Sequence, residues 1–140
     1  MKNKLYPCLW FDGQAKAAAE FYCSVFENSK IVDENPLVVT FELNGSKFMG
    51  LNGGPMFKFN EAVSFVVDCE TQDEIDYYWD NLTRDGEESR CGWLKDKFGV
   101  SWQIVPAILG GLMSDPAKAE RVTEAFMKMR KLDIATLVNA

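Results

Sequence analysis

The sequence predicts an α+β fold in which two βαβββ-type modules form a curved mixed sheet, with helices added at the C-terminus. Three observations predict it. The order strand, helix, then two or three strands occurs twice along the 140 residues. Asn44-Gly45 is a strong hairpin signal between two of those strands. After Pro106 the apolar spacing changes to that of helices alone. A single domain over 1–140 follows, with module one at about 1–54, module two at about 60–106 and a helical extension at about 107–140.

Residues 4–11, KLYPCLWF, read as a strand whose Pro7 suits an edge or a strand start, and Asp12-Gly13 turns the chain. Residues 14–27 place Ala18, Phe21, Tyr22, Val25 and Phe26 at helical spacing, and three consecutive alanines favour the helix by propensity. Short strands follow around 30–32, 37–43 and 47–51. Asn52-Gly-Gly-Pro55 and the aromatic residues after it read as a flexible linker.

The second module opens with a strand at 61–69. Thr71, with Glu74 three residues on, forms a capping box for a helix to about Arg84, where Ile75, Tyr78, Trp79 and Leu82 make one stripe. Asp85-Gly86 ends that helix. Strands near 88–94 and at 100–105 follow, joined around Asp96-Lys-Phe-Gly99. Asp115 and Pro116 then open a long helix whose Val122, Phe126 and Met129 supply a docking stripe. The basic run Lys128, Arg130 and Lys131 falls late in it, complementing its dipole. The last residues, LDIATLVNA, read either as a short helical turn or as a tail exchanged with a partner.

A formal charge of -6 speaks against nonspecific nucleic-acid binding, which needs clustered Lys and Arg. No apolar run approaches a membrane span. The N-terminal segment starts basic, but Asp12 cuts its apolar run short, so a signal peptide is not expected and cytoplasmic residence is. Cys8, Cys23, Cys69 and Cys91 are too widely spaced for a zinc knuckle and are expected as free thiols. The absence of histidine removes the commonest transition-metal ligand and the usual general base. Cys8 and Cys91 are the only attractive nucleophiles, although buried thiols are the simpler reading of both. Asp73, Glu74, Asp76 and Asp80 read as a solvated helix face.

Four segments, YPCLWFDGQAKAAAEFY (6–22), NEAVSFVVDCETQDEIDYYWDNL (60–82), CGWLKDKFGVSWQIVP (91–106) and MKMRKLDIATL (127–137), narrow the family. Together they resemble the PhnB-like, "3-demethylubiquinone-9 3-methyltransferase domain" group of the vicinal oxygen chelate (glyoxalase/bleomycin resistance) superfamily. The resemblance implies that superfamily's fold, and it implies homodimers. It also implies four metal-ligand positions, which map here to Tyr6, about Gly50, Ala62 and Gln103. Gly and Ala cannot ligate through side chains, and one Gln cannot hold zinc against water. No metal and no cofactor are therefore expected. The Asn52-Gly-Gly-Pro55 turn leads into aromatic residues rather than a helix, which is unlike a nucleotide-based methyl-donor site.

Strand alternation groups Tyr6, Cys8 and Trp10 on one face, and likewise Phe48, Gly50 and Asn52, Ala62, Ser64 and Val66, and Ser101, Gln103 and Val105. If these faces line one concavity, Tyr6, Cys8, Trp10, Phe48, Asn52, Ser64 and Gln103 form a pocket for a small, partly apolar ligand. The competing reading is a filled core whose polar groups bond one another. Trp102 points the opposite way and reads as packing, whereas Trp93 could serve the cavity or the helices. Three functions follow: a metal-independent small-molecule binding protein, an enzyme (lyase, isomerase or transferase) drawing on Tyr6 with Cys8 or Glu61, or a structural, partner-binding dimer.

Overall fold

A computed structural model describes residues 4–140 as two compact units, the first ending at Phe59 and the second running from Asn60 to Ala140. The basic start of the N-terminal segment, at residues 1–3, lies outside the described residues.

The first unit runs β1 (Cys8–Phe11), α1 (Ala15–Val25), β2 (Lys30–Glu34), β3 (Val38–Leu43) and β4 (Ser46–Asn52). Its sheet has the order β1-β4-β3-β2, with β1 parallel to β4 and the other pairs antiparallel. Asn44 and Gly45 both have positive φ (51° and 80°), the geometry a two-residue hairpin turn needs to match strand twist. Alternation along β3 buries Val39, Phe41 and Leu43 on the side of α1, where Tyr22 stacks on Phe41 with centroids 6.3 Å apart. Each such fully buried side chain contributes roughly 1.5–3 kcal/mol. Gly50 lets α1 approach the sheet, since a Cβ there would lie 3.1 Å from the Ala15 Cβ.

Two expectations need correction in this unit. The strand expected over 4–11 begins only at Cys8, although the Pro7 carbonyl still accepts from the Met49 amide at 3.0 Å. Proline lacks the N–H that would carry the ladder further. The segment after Asn52 is not a free linker: Gly53 and Gly54 donate to the Phe11 carbonyl at 3.0 and 3.3 Å. Phe59 packs edge-on against Phe11 with centroids 5.3 Å apart.

The second unit repeats the topology: β5 (Ser64–Cys69), α2 (Gln72–Thr83), β6 (Glu87–Glu88), β7 (Trp93–Lys95) and β8 (Ser101–Pro106). Its sheet order is β5-β8-β7-β6, with β5 parallel to β8. Thr71 caps α2 by accepting from the Glu74 amide at 3.2 Å, while the Glu74 carboxylate accepts from the Glu70 amide rather than from Thr71. The strand expected over 88–94 is two short strands, β6 and β7. Cys91 and Gly92 take left-handed φ values of 59° and 84° because their amides turn out of the ladder to the Met129 and Arg130 carbonyls, at 2.9 and 2.8 Å.

Three helices follow, α3 (Leu109–Met113), α4 (Pro116–Met127) and α5 (Ile134–Val138). Asp115 caps α4 through the Ala117 amide at 3.0 Å. The helix ends at Met127 with Lys128 at its C-cap, where a cation still complements the dipole, whereas Arg130 and Lys131 lie beyond it. Lys131 instead pairs with Asp76 at 3.0 Å, which holds that carboxyl below its ordinary range. Gln72 grips the terminal segment from both sides, donating to the Leu132 carbonyl (3.0 Å) and accepting from the Ile134 amide (2.8 Å). Val122, Leu132 and Leu137 form the buried centre of this helical layer. The C-terminal residues include the short helix that is one of the two readings, α5.

Candidate functional site

In the second unit, α2 covers the sheet face that buries Val67, Cys69, Leu94, Trp102 and Ile104. Residues of opposite parity point away from it. Ser64 is paired with Ser101, Val66 with Gln103, Trp93 with Gln103 and Lys95 with Ser101, so these six share the other face. The side chains of Ser64 and Gln103, both expected on this face, bond each other, as the filled-core alternative also expects: Gln103 Nε2 donates to Ser64 Oγ at 3.0 Å. That bond uses the amide nitrogen and leaves Gln103 Oε1 with no donor among the described residues. Val66, beside Gln103, is 57% exposed, an apolar side chain with nothing in the unit to bury it. Trp93, unassigned from sequence, lies directly opposite Gln103.

At the rim of this face Lys95 Nζ lies 3.3 Å from Glu61 Oε1. The hydrogen bond from Lys95 holds the exposed Glu61 carboxyl below its ordinary range, so it is ionised at neutral pH. A proton donor in acid–base chemistry needs the opposite shift.

The residues expected from the first unit are divided between two faces. Cys8 and Trp10 lie on the face away from α1, with Met49 and Leu51 beside them in register. Phe48 and Asn52 lie on the α1 side. Phe48 stacks on Phe41 with centroids 5.5 Å apart, and Asn52 Oδ1 accepts from the Ala15 amide at 2.9 Å. Asn52 is thus a helix cap supplied from a distant strand, because Gln14 at the cap position makes no side-chain bond there. Grouping these two with Cys8 and Trp10 is corrected. Tyr6 precedes β1, and its ring lies 3.9 Å from Lys47 Nζ in a cation–π contact. Trp10 is held by its own unit: its Nε1 donates to the Gly54 carbonyl at 2.8 Å and Phe57 meets it edge-on at 4.9 Å. Gly53 covers the indole so closely that a Cβ would fall 2.4 Å from the ring.

The metal positions implied by the resemblance can be tested on their donors. Gly50 packs under α1, Ala62 sits in a turn before β5, Tyr6 is engaged by Lys47, and Gln103 alone offers an amide oxygen. Among the described residues no group of three or more His, Cys, Asp or Glu side chains could hold a metal ion. These donors do not fit a divalent transition metal.

All four thiols are free. Cys8 is exposed and Cys91 half-buried, which corrects the buried reading of both; Cys91 Sγ touches Met127 Sδ at 3.5 Å. Burial, then the Glu74 and Asp68 carboxylates, push the Cys69 thiol up to about 12, and desolvation raises Cys8 and Cys23 by less. Maleimide labelling at pH 8, read by peptide mass spectrometry, should therefore modify Cys8 and leave Cys69 untouched until denaturant is added.

Sequence reasoning missed Asp96. It is 3% exposed, and its carboxylate accepts from the Phe98 and Val100 amides (2.8 and 3.1 Å) and from Trp102 Nε1 (2.9 Å). The signal was the aspartate opening Asp96-Lys-Phe-Gly99, a turn former placed where the chain must reverse between β7 and β8. Ser101 was also missed as a site residue. Its hydroxyl is buried with no hydrogen-bond partner.

Comparison with known proteins agrees with this geometry. The family model described as 3-demethylubiquinone-9 3-methyltransferase matches residues 3–105. The Bacillus cereus PhnB protein, described by the same methyltransferase activity, is 36% identical, with a TM-score of 0.68 over 74% of this chain and 99% of that one. Two more distant structures share the fold. A glyoxalase-related enzyme from Fulvimarina pelagi has 16% identity and a TM-score of 0.55, covering 76% of this chain and 88% of its own. The fosfomycin resistance protein FosX from Listeria monocytogenes, solved with Mn(II) and sulfate, has 11% identity and a TM-score of 0.61, covering 81% and 97%. No curated protein matches the chain. Two modules of one topology, a family match over most of the sequence and a PhnB relative at 36% identity place this chain in the 3-demethylubiquinone-9 3-methyltransferase-like, PhnB-like family, on the glyoxalase/bleomycin-resistance fold.

Proposed function

We propose that this chain is a metal-independent small-molecule binding protein whose ligand seat is the face of the second sheet around Gln103. The observation that carries the reading is Gln103 itself. Ser64 fixes its amide nitrogen, and its carbonyl oxygen is left to accept from a ligand beside Trp93 and Val66. A preorganised acceptor next to an aromatic ring suits a compact ligand with one donor and an apolar body. Cys8 and Trp10 lie on the face of the first sheet turned away from α1, and Tyr6 precedes them; the seat we propose is built from the second unit alone. The ionised state of Glu61 argues against a proton-donor role for it, and the raised Cys8 thiol argues against nucleophilic chemistry. A cytoplasmic homodimer is the setting we propose; no helix among the described residues is long and apolar enough to cross a membrane.

A thermal-shift screen of small polar aromatic metabolites tests this reading. Compounds that raise Tm should do so equally with zinc, manganese or EDTA present, and Gln103→Ala should weaken their binding about tenfold. A Tm that rises with zinc or manganese alone, and falls back with EDTA, would overturn it.

A further inference from the structure

A cavity of about 110 Å³ opens beside the Gln103 face, lined by Glu61, Glu87, Glu88, Trp93, Lys95 and Ser101 among others. We propose that it seats a primary ammonium group of the ligand, with Ser101 Oγ accepting a hydrogen bond and the Trp93 ring and Glu87 supplying the field. This rests on the reading that the Gln103 face receives a ligand, and it names the chemistry of one end of that ligand.

Charge decides the sign. Two carboxylates, Glu61 and Glu87, against the Lys95 ammonium leave the cavity one charge negative, so a cation is favoured there and an anion repelled. Glu88, opposite Leu94 in register, turns its side chain to the α2 face, where its charge acts on Lys131. Lys95 already places an ammonium 3.3 Å from Glu61, which shows the wall accommodating that group from within the chain. Glu87 is opposite Lys95 in register and makes no ion pair among the described residues, so its charge stays available. An aromatic ring beside carboxylates is a favourable environment for an ammonium ion.

Ser101 supplies the independent observation. It is 1% exposed, lines the cavity, and its hydroxyl has no hydrogen-bond partner. A buried hydroxyl without a partner is costly, and a donor arriving in the cavity removes that cost once the side chain turns to meet it. Size agrees as well: water occupies about 30 Å³ in the liquid, so the cavity holds about three or four heavy atoms, the scale of an aminoethyl group.

The test is a titration of the ¹⁵N-labelled chain with ethylammonium chloride, against sodium propionate and n-propanol at matched ionic strength. Ethylammonium should produce saturable shifts at the Ser101 and Lys95 amides and the Trp93 indole, with a dissociation constant on the order of millimolar for so small a probe. Ser101→Ala should weaken it about tenfold, and Glu87→Gln should weaken it without altering the fold. Equal shifts from propionate or propanol, or ethylammonium binding unchanged in Ser101→Ala, would overturn the proposal. If compounds from the thermal-shift screen move the Gln103 side-chain amide while ethylammonium leaves Ser101 unmoved, the ammonium assignment falls and the binding face stands. If neither group moves with any compound, both fall.

Discussion

Replacing Asp96 with alanine is expected to destabilise the fold by about 3–5 kcal/mol, measured as a lower urea midpoint at unchanged m. The carboxylate is the common acceptor for two turn amides and the Trp102 indole, and all of it is buried. Removing it takes the carboxylate acceptor from all three of these donors, and water cannot reach Trp102, itself 3% exposed, without unpacking the core. Asp96→Asn should fall between wild type and alanine. One oxygen can still serve the two amides, but the new NH₂ would face the indole N–H, donor against donor. A loss below about 1 kcal/mol in Asp96→Ala would mean that the turn is held by something else.

Gly86→Ala should cost about 2–4 kcal/mol for a different reason. A Cβ at this position would lie 2.3 Å from the Lys95 carbonyl oxygen and 2.9 Å from the Asp96 carbonyl carbon, and both are backbone atoms. A flexible side chain could swing aside, but backbone atoms yield only if β6 moves away from β7. The substitution therefore also displaces Glu87 and Lys95 from the cavity they line. Gly110→Ala is the natural control. It lies within α3, a Cβ there meets nothing within 4 Å, and replacing glycine in a helix should leave stability equal or raise it by about 0.5–1 kcal/mol. Equal behaviour of the two variants in urea would contradict the steric argument.

What could be read from the sequence follows from how local each signal is. The Asn44-Gly45 hairpin, the Thr71 and Asp115 caps and the α2 stripe are all encoded within a few residues, and each appears where expected. The duplicated topology followed from them. The broken strand at Cys91 could not be foreseen, because its cause is a pair of carbonyls at Met129 and Arg130, nearly forty residues away. The same holds for Asn52, whose partner is the amide of Ala15 across 37 positions. Alternation put Ser64 and Gln103 each on a face of its own strand, and the β5–β8 register brings those faces together, where the two side chains bond. It placed Phe48 and Asn52 with Cys8 and Trp10 because period two relates residues along one strand but says nothing of which parity on β4 matches which on β1. That match is set by the register, Trp10 opposite Leu51 and Phe11 opposite Asn52. Asp96 was read only as part of a turn, since its third partner, Trp102, becomes a neighbour only after β7 and β8 pair.

The central claim is that Gln103 presents a free oxygen to an organic ligand rather than to a metal. Diffraction from crystals of protein purified without added metal, with anomalous data collected across the manganese and zinc edges, tests it most directly. The account predicts non-protein density within hydrogen-bond distance of Gln103 Oε1 and no anomalous peak there. An anomalous peak at that oxygen, or a face closed over by side chains with no space beside Gln103, would contradict it.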